Sequence, residues 1–150
     1  MIQGRFGENT GSPYVEAVVR LPRLNTAAKI QFLVDTGSDS TALMPSDGFD
    51  RLHLDYQELK GDRLSFGFGG RTQEFVEDAV ITFTEPGRYF YVYRQPILIA
   101  RSNDDLLGIP SILGRDILNR WEMRYAPAAR RPNLRFKVVS ADATVPISGP

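Results

Sequence analysis

The run Phe32-Leu33-Val34-Asp35-Thr36-Gly37-Ser38-Asp39-Ser40-Thr41 constrains this chain more than any other stretch. Ile30, Phe32 and Val34 alternate on one face, the pattern of a half-buried strand, and the strand ends on a carboxylate, Asp35. Burying a carboxylate is expensive unless it is neutralised or well hydrogen-bonded. The turn that follows is expected to meet that need. Gly37 would permit a backbone conformation closed to other residues, and the surrounding hydroxyls and amides would bond the acid.

The strand leading into Asp35 has companions of the same kind. Tyr14 to Leu21 alternates Val15, Ala17, Val19 and Leu21 against Glu16, Val18 and Arg20, which reads as a strand. Thr41 to Met44 is short and apolar, and Phe49 to Leu54 fits a helical turn. Arg63 to Phe68 runs into Gly69-Gly70, and Thr72 to Phe83 leaves it with Phe75, Glu77, Ala79, Ile81 and Phe83 in period two, a hairpin signal. Tyr89, Tyr91 and Tyr93 share a strand face, best read as cross-strand packing. Pro96 to Ala100 continues as a short apolar strand. Gly114 to Trp121 holds the one short helix, and Trp121 to Tyr125 with Asn133 to Val139 makes a closing hairpin. With so many strands and one helix, the chain is expected to be all-β.

Length and composition exclude several functions. At 150 residues the chain suits one domain, expected over 1–139, with 140–150 a flexible tail. Eighteen basic and eighteen acidic residues cancel, so no global field favours nucleic acid or an anionic membrane, and neither is expected as a partner. Acids cluster from Asp35 to Asp62 and arginines from Arg115 to Arg135, a distribution that reads as solvated faces. The absence of Cys removes disulfides, zinc thiolates and thiol nucleophiles. Without a leader-like N-terminus or a long apolar run, the sequence reads as cytoplasmic. The single His53 lies in a polar stretch and reads as a surface residue, not as a catalytic base. A calcium loop starting at Asp35 would have Ser40 where Gly is needed and Ser46 where Glu is needed, so no metal is expected.

Three pieces then stand in fixed order: Leu33-Val34-Asp35-Thr36-Gly37-Ser38-Asp39-Ser40-Thr41, a Gly-tipped hairpin at Phe66 to Thr72, and Ile112-Leu113-Gly114-Arg115-Asp116-Ile117-Leu118. Together they resemble the retropepsin family of aspartic proteases, the small single-domain relatives of retroviral protease. The resemblance runs from about Tyr14 to Arg124 and implies an all-β, closed-barrel-like fold with a short C-terminal helix and a hairpin flap. It implies that Asp35 is the catalytic acid, that Thr36 grips its counterpart across a two-fold axis, and that Gly37 lets the backbone approach substrate. Asp39 would hold the peptide while pairing with Arg115. Gly69 and Gly70 would form the flap tip. Leu33, Ala42, Phe68 and Ile112 would line apolar side-chain pockets, and Gly114 would pack behind the catalytic turn. Ser38 stands where retroviral enzymes usually carry Ala. A hydroxyl bonded to the carboxylate would favour its ionised form, so a more acidic optimum is expected than with Ala.

The chemistry agrees with that resemblance. Hydrolysing a peptide without metal, cofactor or covalent intermediate needs a base for water and an acid for the carbonyl oxygen. Two touching carboxylates sharing one proton supply both, as the general description of aspartic proteases has it. The chain contains one Asp-Thr-Gly, so the second carboxylate must come from another copy, making a homodimer acting on polypeptides the expected species. The same fold used as a dimerising or peptide-binding module with little activity is the alternative. A phosphotransferase with an aspartyl nucleophile would need alternating strands and helices, and Glu74 to Ile99 reads as strand after strand.

Overall fold

The computed structural model describes residues 1–67, 70–101 and 104–148. Period-two alternation becomes strand wherever it was sustained. β1 (Ile2–Gln3) and β2 (Arg5–Phe6) are short; β3 (Pro13–Leu21) and β4 (Thr26–Val34) form an antiparallel pair, buried at Val15, Ala17, Val19 and Leu21 on one strand and at Ile30, Phe32 and Val34 on the other. β5 (Ala42–Leu43) follows, then a helical turn at Asp47–Arg51, β6 (Asp62–Gly67), β7 (Gly70–Glu85) and β8 (Tyr89–Ala100). β9 (Ser111–Leu113), α1 (Arg115–Leu118), β10 (Trp121–Ala126), β11 (Asn133–Val138) and β12 (Ala143–Pro146) complete the order.

Strands β5, β9, β4, β3, β7 and β8 pair in that sequence, and β8 returns to β5, which closes a six-stranded barrel. The expected all-β barrel with one short helix is therefore present. β6 pairs with the outer part of β7 from Asp62 opposite Phe75 to Gly67 opposite Gly70, so the two arms of the expected hairpin are present, one of them continuous with a barrel strand. Phe68 and Gly69, expected at its tip, lie outside the described residues.

β1, β11 and β10 form a second, three-stranded antiparallel sheet. Aromatic packing joins it to the barrel. The Trp121 ring meets Phe83 at 4.7 Å and Phe136 at 5.0 Å between centroids, and its Nε1 donates to Tyr93 Oη at 2.7 Å. Tyr93 Oη in turn donates to the Ser140 carbonyl at 2.9 Å, so the polar tips inside this apolar cluster are satisfied. Each such buried aromatic contributes roughly 2–3 kcal/mol of transfer free energy. The tyrosine face of β8 is thus packing, with Tyr89 against Tyr91 at 5.9 Å and Tyr93 buried.

The apolar continuation from Pro96 belongs to the same strand: β8 runs unbroken from Tyr89 to Ala100. On the edge of β8 away from β7, β12 pairs from Tyr89 to Val92 and β5 at Leu98 and Ile99, so Pro96 sits in the gap where a missing N–H is harmless. One expectation is corrected: within the segment expected to fray, 140–150, residues Ala143–Pro146 form β12 along β8. It is anchored by Asp142, which accepts the Arg94 N–H at 2.7 Å and pairs with Arg120 at 3.0 Å. No helix among the described residues is long and apolar enough to cross a membrane.

Candidate active site

Asp35 leaves the end of β4, where its N–H donates to the Leu113 carbonyl at 3.1 Å, continuing the parallel β4–β9 ladder by one step. Its side chain is half-buried, and Oδ1 accepts the Gly37 N–H at 2.9 Å. That is the one hydrogen bond the carboxylate makes among the described residues. Gly37 is not in the left-handed region, contrary to the reason expected for it. Its role is space: a Cβ there would stand 3.2 Å from Asp35 Oδ1.

The loop is held from behind by the turn joining β9 to α1. Arg115 donates its N–H to the Ser38 carbonyl and its Nη1 to the Thr36 carbonyl, each at 2.8 Å. The guanidinium is therefore spent on the loop backbone, not on Asp39, and no ion pair joins Asp39 to Arg115 among the described residues; Asp39 is exposed. Gly114 lies against the loop so closely that a Cβ would fall 2.5 Å from the Ser40 carbonyl carbon and 2.6 Å from its oxygen. The Ser38 hydroxyl donates to the Ser40 carbonyl at 2.8 Å rather than to the carboxylate, which removes the basis for the expected acid shift.

Sequence reasoning missed the polar knot under this loop. Thr41, fully buried, donates its N–H and hydroxyl to the Asp116 carboxylate at 2.9 and 2.6 Å, and its Oγ1 accepts the Gly114 N–H at 3.1 Å. Gln95 of β8 donates to Asp116 Oδ2 at 2.9 Å. Beside it, Ser111 accepts the Met44 N–H at 2.9 Å and donates to Asp47 in a short contact. An Asp in the first turn of a helix and a Thr closing a turn were visible signals; Gln95 carried none.

Of the expected pocket residues, Leu33, Ile112 and Ala42 come together. Leu33 is opposite Ile112, which is opposite Ala42, so the three form one row across β4, β9 and β5, on one face. The row adjoins an apolar cluster of Ala42, Met44, Leu98, Ala100 and Leu106 with Val76, Ile109 and Ile112 packed on it. Gly70 opens β7 at the hairpin end; Thr36 is exposed. His53 is exposed, and no group of three or more potential metal ligands occurs among the described residues.

No family model and no curated protein sequence matches the chain. Solved structures do. A retropepsin-like aspartic protease from Rickettsia conorii superposes with a TM-score of 0.57 over 91% of this chain and 97% of its own, at 21% identity. The fold is retropepsin-like. EIAV protease in complex with the inhibitor HBY-793 also aligns, with a TM-score of 0.44 over 75% of this chain and 90% of that one, at 22% identity. Within the retropepsin-like barrel, the Asp35 loop, the Gly114-Arg115 turn and the apolar row are contiguous, joined by the backbone contacts described above.

Proposed function

We propose that the chain is an aspartic endopeptidase that works as a homodimer, each copy contributing one Asp35. The observation that carries this reading is the state of Asp35 itself. It is half-buried at a strand end, has a single hydrogen bond on one oxygen, and sits in a loop fixed by Arg115 and Gly114. A group so rigidly presented and so sparsely satisfied suits contact with something outside its own chain.

In this reading two Asp35 carboxylates meet at the two-fold axis and share a proton. The ionised member takes a proton from a water as that water attacks the scissile carbonyl, and the protonated member donates to the carbonyl oxygen. The tetrahedral diol then collapses with proton transfer to the leaving amine, and the dyad is restored. Thr36, with its carbonyl fixed by Arg115, keeps the two loops in register. Gly37 keeps the approach to Oδ1 open, and Ser38 and Asp39 border the bound peptide. Leu33, Ala42 and Ile112 favour apolar side chains beside the scissile bond, and the β6–β7 hairpin, with Phe68, Gly69 and Gly70, acts as the flap.

The test is a peptide-library digest across roughly pH 3 to 8 with wild type and Asp35→Asn, alongside molar mass by ultracentrifugation. Cleavage by a dimer, abolished in a folded Asp35→Asn, is the expected result. Cutting by a strict monomer would overturn the dyad, and a dimer that cuts nothing at any pH would favour a peptide-binding module.

A further inference from the structure

The β1–β11–β10 sheet turns one face to the barrel and the other to solvent. Ile2, Leu134 and Phe136 are buried on the first, and the register sets Met123 and Tyr125 beside them. Period two then puts Gln3, Glu122, Arg124, Arg135 and Lys137 on the second face. Arg124 stands directly opposite Arg135, and the connection over 127–132 adds Arg130 and Arg131. These four arginines and Lys137 are all exposed. Elsewhere cations are set against acids, as in Arg23–Glu77, Arg88–Glu85 and Arg120–Asp142. None of the five on this sheet has an ion-pair or hydrogen-bond partner for its side chain among the described residues. Like charges directly opposite on a sheet are destabilising, so the Arg124–Arg135 pair weakens the hairpin that carries it. The zero net charge of the whole chain hides this local excess.

We infer that this face is a docking surface for an acidic polypeptide segment, carried by the substrate away from the bond that is cut. This rests on the endopeptidase reading above and names a class of substrate for it. A guanidinium binds a carboxylate through two parallel N–H donors, and two arginines about 5 Å apart at Cα can share one carboxylate or hold two neighbours. Arg135 and Lys137, two residues apart on β11, recur at about 6.8 Å, the interval at which an extended peptide presents side chains to one side. The aromatic residues decide against other polyanions. Single-stranded nucleic acid is held by stacking bases on aromatic rings, and membrane-surface segments seat aromatic and apolar side chains among the headgroups. Here Trp121, Tyr125 and Phe136 all belong to the other face, and no aromatic residue of the three strands stands on the charged one. Carboxylates need none. The surface shares no residue with the Asp35 loop, so docking there gathers substrate without entering the chemistry.

The experiment follows a labelled oligo-glutamate peptide by fluorescence anisotropy in the Asp35→Asn background, where cleavage does not interfere. Arg135→Gln, the double variant Arg130→Gln/Arg131→Gln and, as a control on β3, Arg20→Gln are made in the same background. Saturable binding that weakens with salt is expected, about threefold weaker for each charge removed from the sheet and unchanged in the control. Arg135→Gln should also raise the Tm by about 1–3 °C, because it relieves the opposed pair. A gain in stability joined to a loss of binding is a combination that a merely structural arginine does not give. With Asp35 intact, an acidic tail added to a cleavable peptide is expected to lower KM about tenfold and leave kcat unchanged. Absent binding, binding indifferent to both sheet variants, or tighter binding to phosphatidylserine vesicles or single-stranded DNA would overturn the surface. If oligo-glutamate binds as expected and nothing is cut, the surface stands and the endopeptidase reading falls. If peptides are cut with the same KM with and without the tail, the endopeptidase reading stands and the surface falls.

Discussion

Asp116 holds Thr41 twice, accepting its backbone N–H at 2.9 Å and its hydroxyl at 2.6 Å. The pair ties the far end of the Asp35 loop to the first turn of α1, and Gln95 brings a barrel strand into the same contact. Thr41→Val keeps the side-chain shape but leaves the Gly114 N–H and one carboxylate oxygen without partners in a buried place. A loss of about 2–3 kcal/mol is expected in urea unfolding, with the slope unchanged. Asp116→Asn should lose less, because the amide still accepts one bond from Thr41.

The Ser38 hydroxyl serves the Ser40 carbonyl, not Asp35. Ser38→Ala should therefore leave the acid limb of a pH–rate profile where it is and reduce stability by about 1 kcal/mol, the ordinary net worth of one hydrogen bond. A displaced acid limb would mean that the hydroxyl reaches the carboxylate during turnover.

Gly114 has no room for a methyl group. The nearest atoms to a Cβ there, at 2.5, 2.6 and 2.8 Å, are all Ser40 backbone, which cannot swing aside as a side chain can. Gly114→Ala is expected to shift the loop, lower stability by about 2 kcal/mol or more, and reduce peptide cleavage further than the stability loss explains. Thermal unfolding and steady-state kinetics on the same preparation would separate the two effects.

Asp142 reports on β12. The Arg94 N–H, and after it the Arg120 guanidinium, hold its carboxyl below the ordinary carboxylate range. A depressed folded-state pKa means that the stabilisation is present above the unfolded-state value and is lost as pH falls through the folded one. The Tm difference between wild type and Asp142→Asn should be widest near neutrality and close in strong acid. Amides of 143–146 should exchange faster in the variant at neutral pH.

The barrel was legible because its strands obey period two over many residues: Val15 to Leu21, Ile30 to Val34 and Phe75 to Phe83 each carry a buried face that no slip of register could keep. β1, β2 and β12 were not, since two to four residues show no period and each owes its conformation to a partner strand. Pro96 illustrates the same point. Its tolerance depends on a gap between β12 and β5 that exists only in three dimensions. At the site, backbone consequences of the motif were readable, as with Gly114 behind the turn and Arg115 as its support. Side-chain partners were not. Arg115 chose the Thr36 carbonyl over Asp39, and Ser38 chose Ser40 over Asp35, because a guanidinium or hydroxyl among several acceptors is decided by ångströms.

β7 belongs to two structures at once. From Glu74 to Glu85 it pairs with β8 as part of the barrel wall, and from Gly70 to Phe75 it pairs with β6 outside that wall. A one-residue insertion or deletion just after Phe75 would turn buried Ala79, Ile81 and Phe83 to the opposite face. Between Asp62 and Gln73 no such penalty applies, provided residues are gained or lost in matched pairs, one on each arm. Length variation among descendants of this sequence is therefore expected to collect in that outer hairpin, which can lengthen or shorten while the barrel keeps its register.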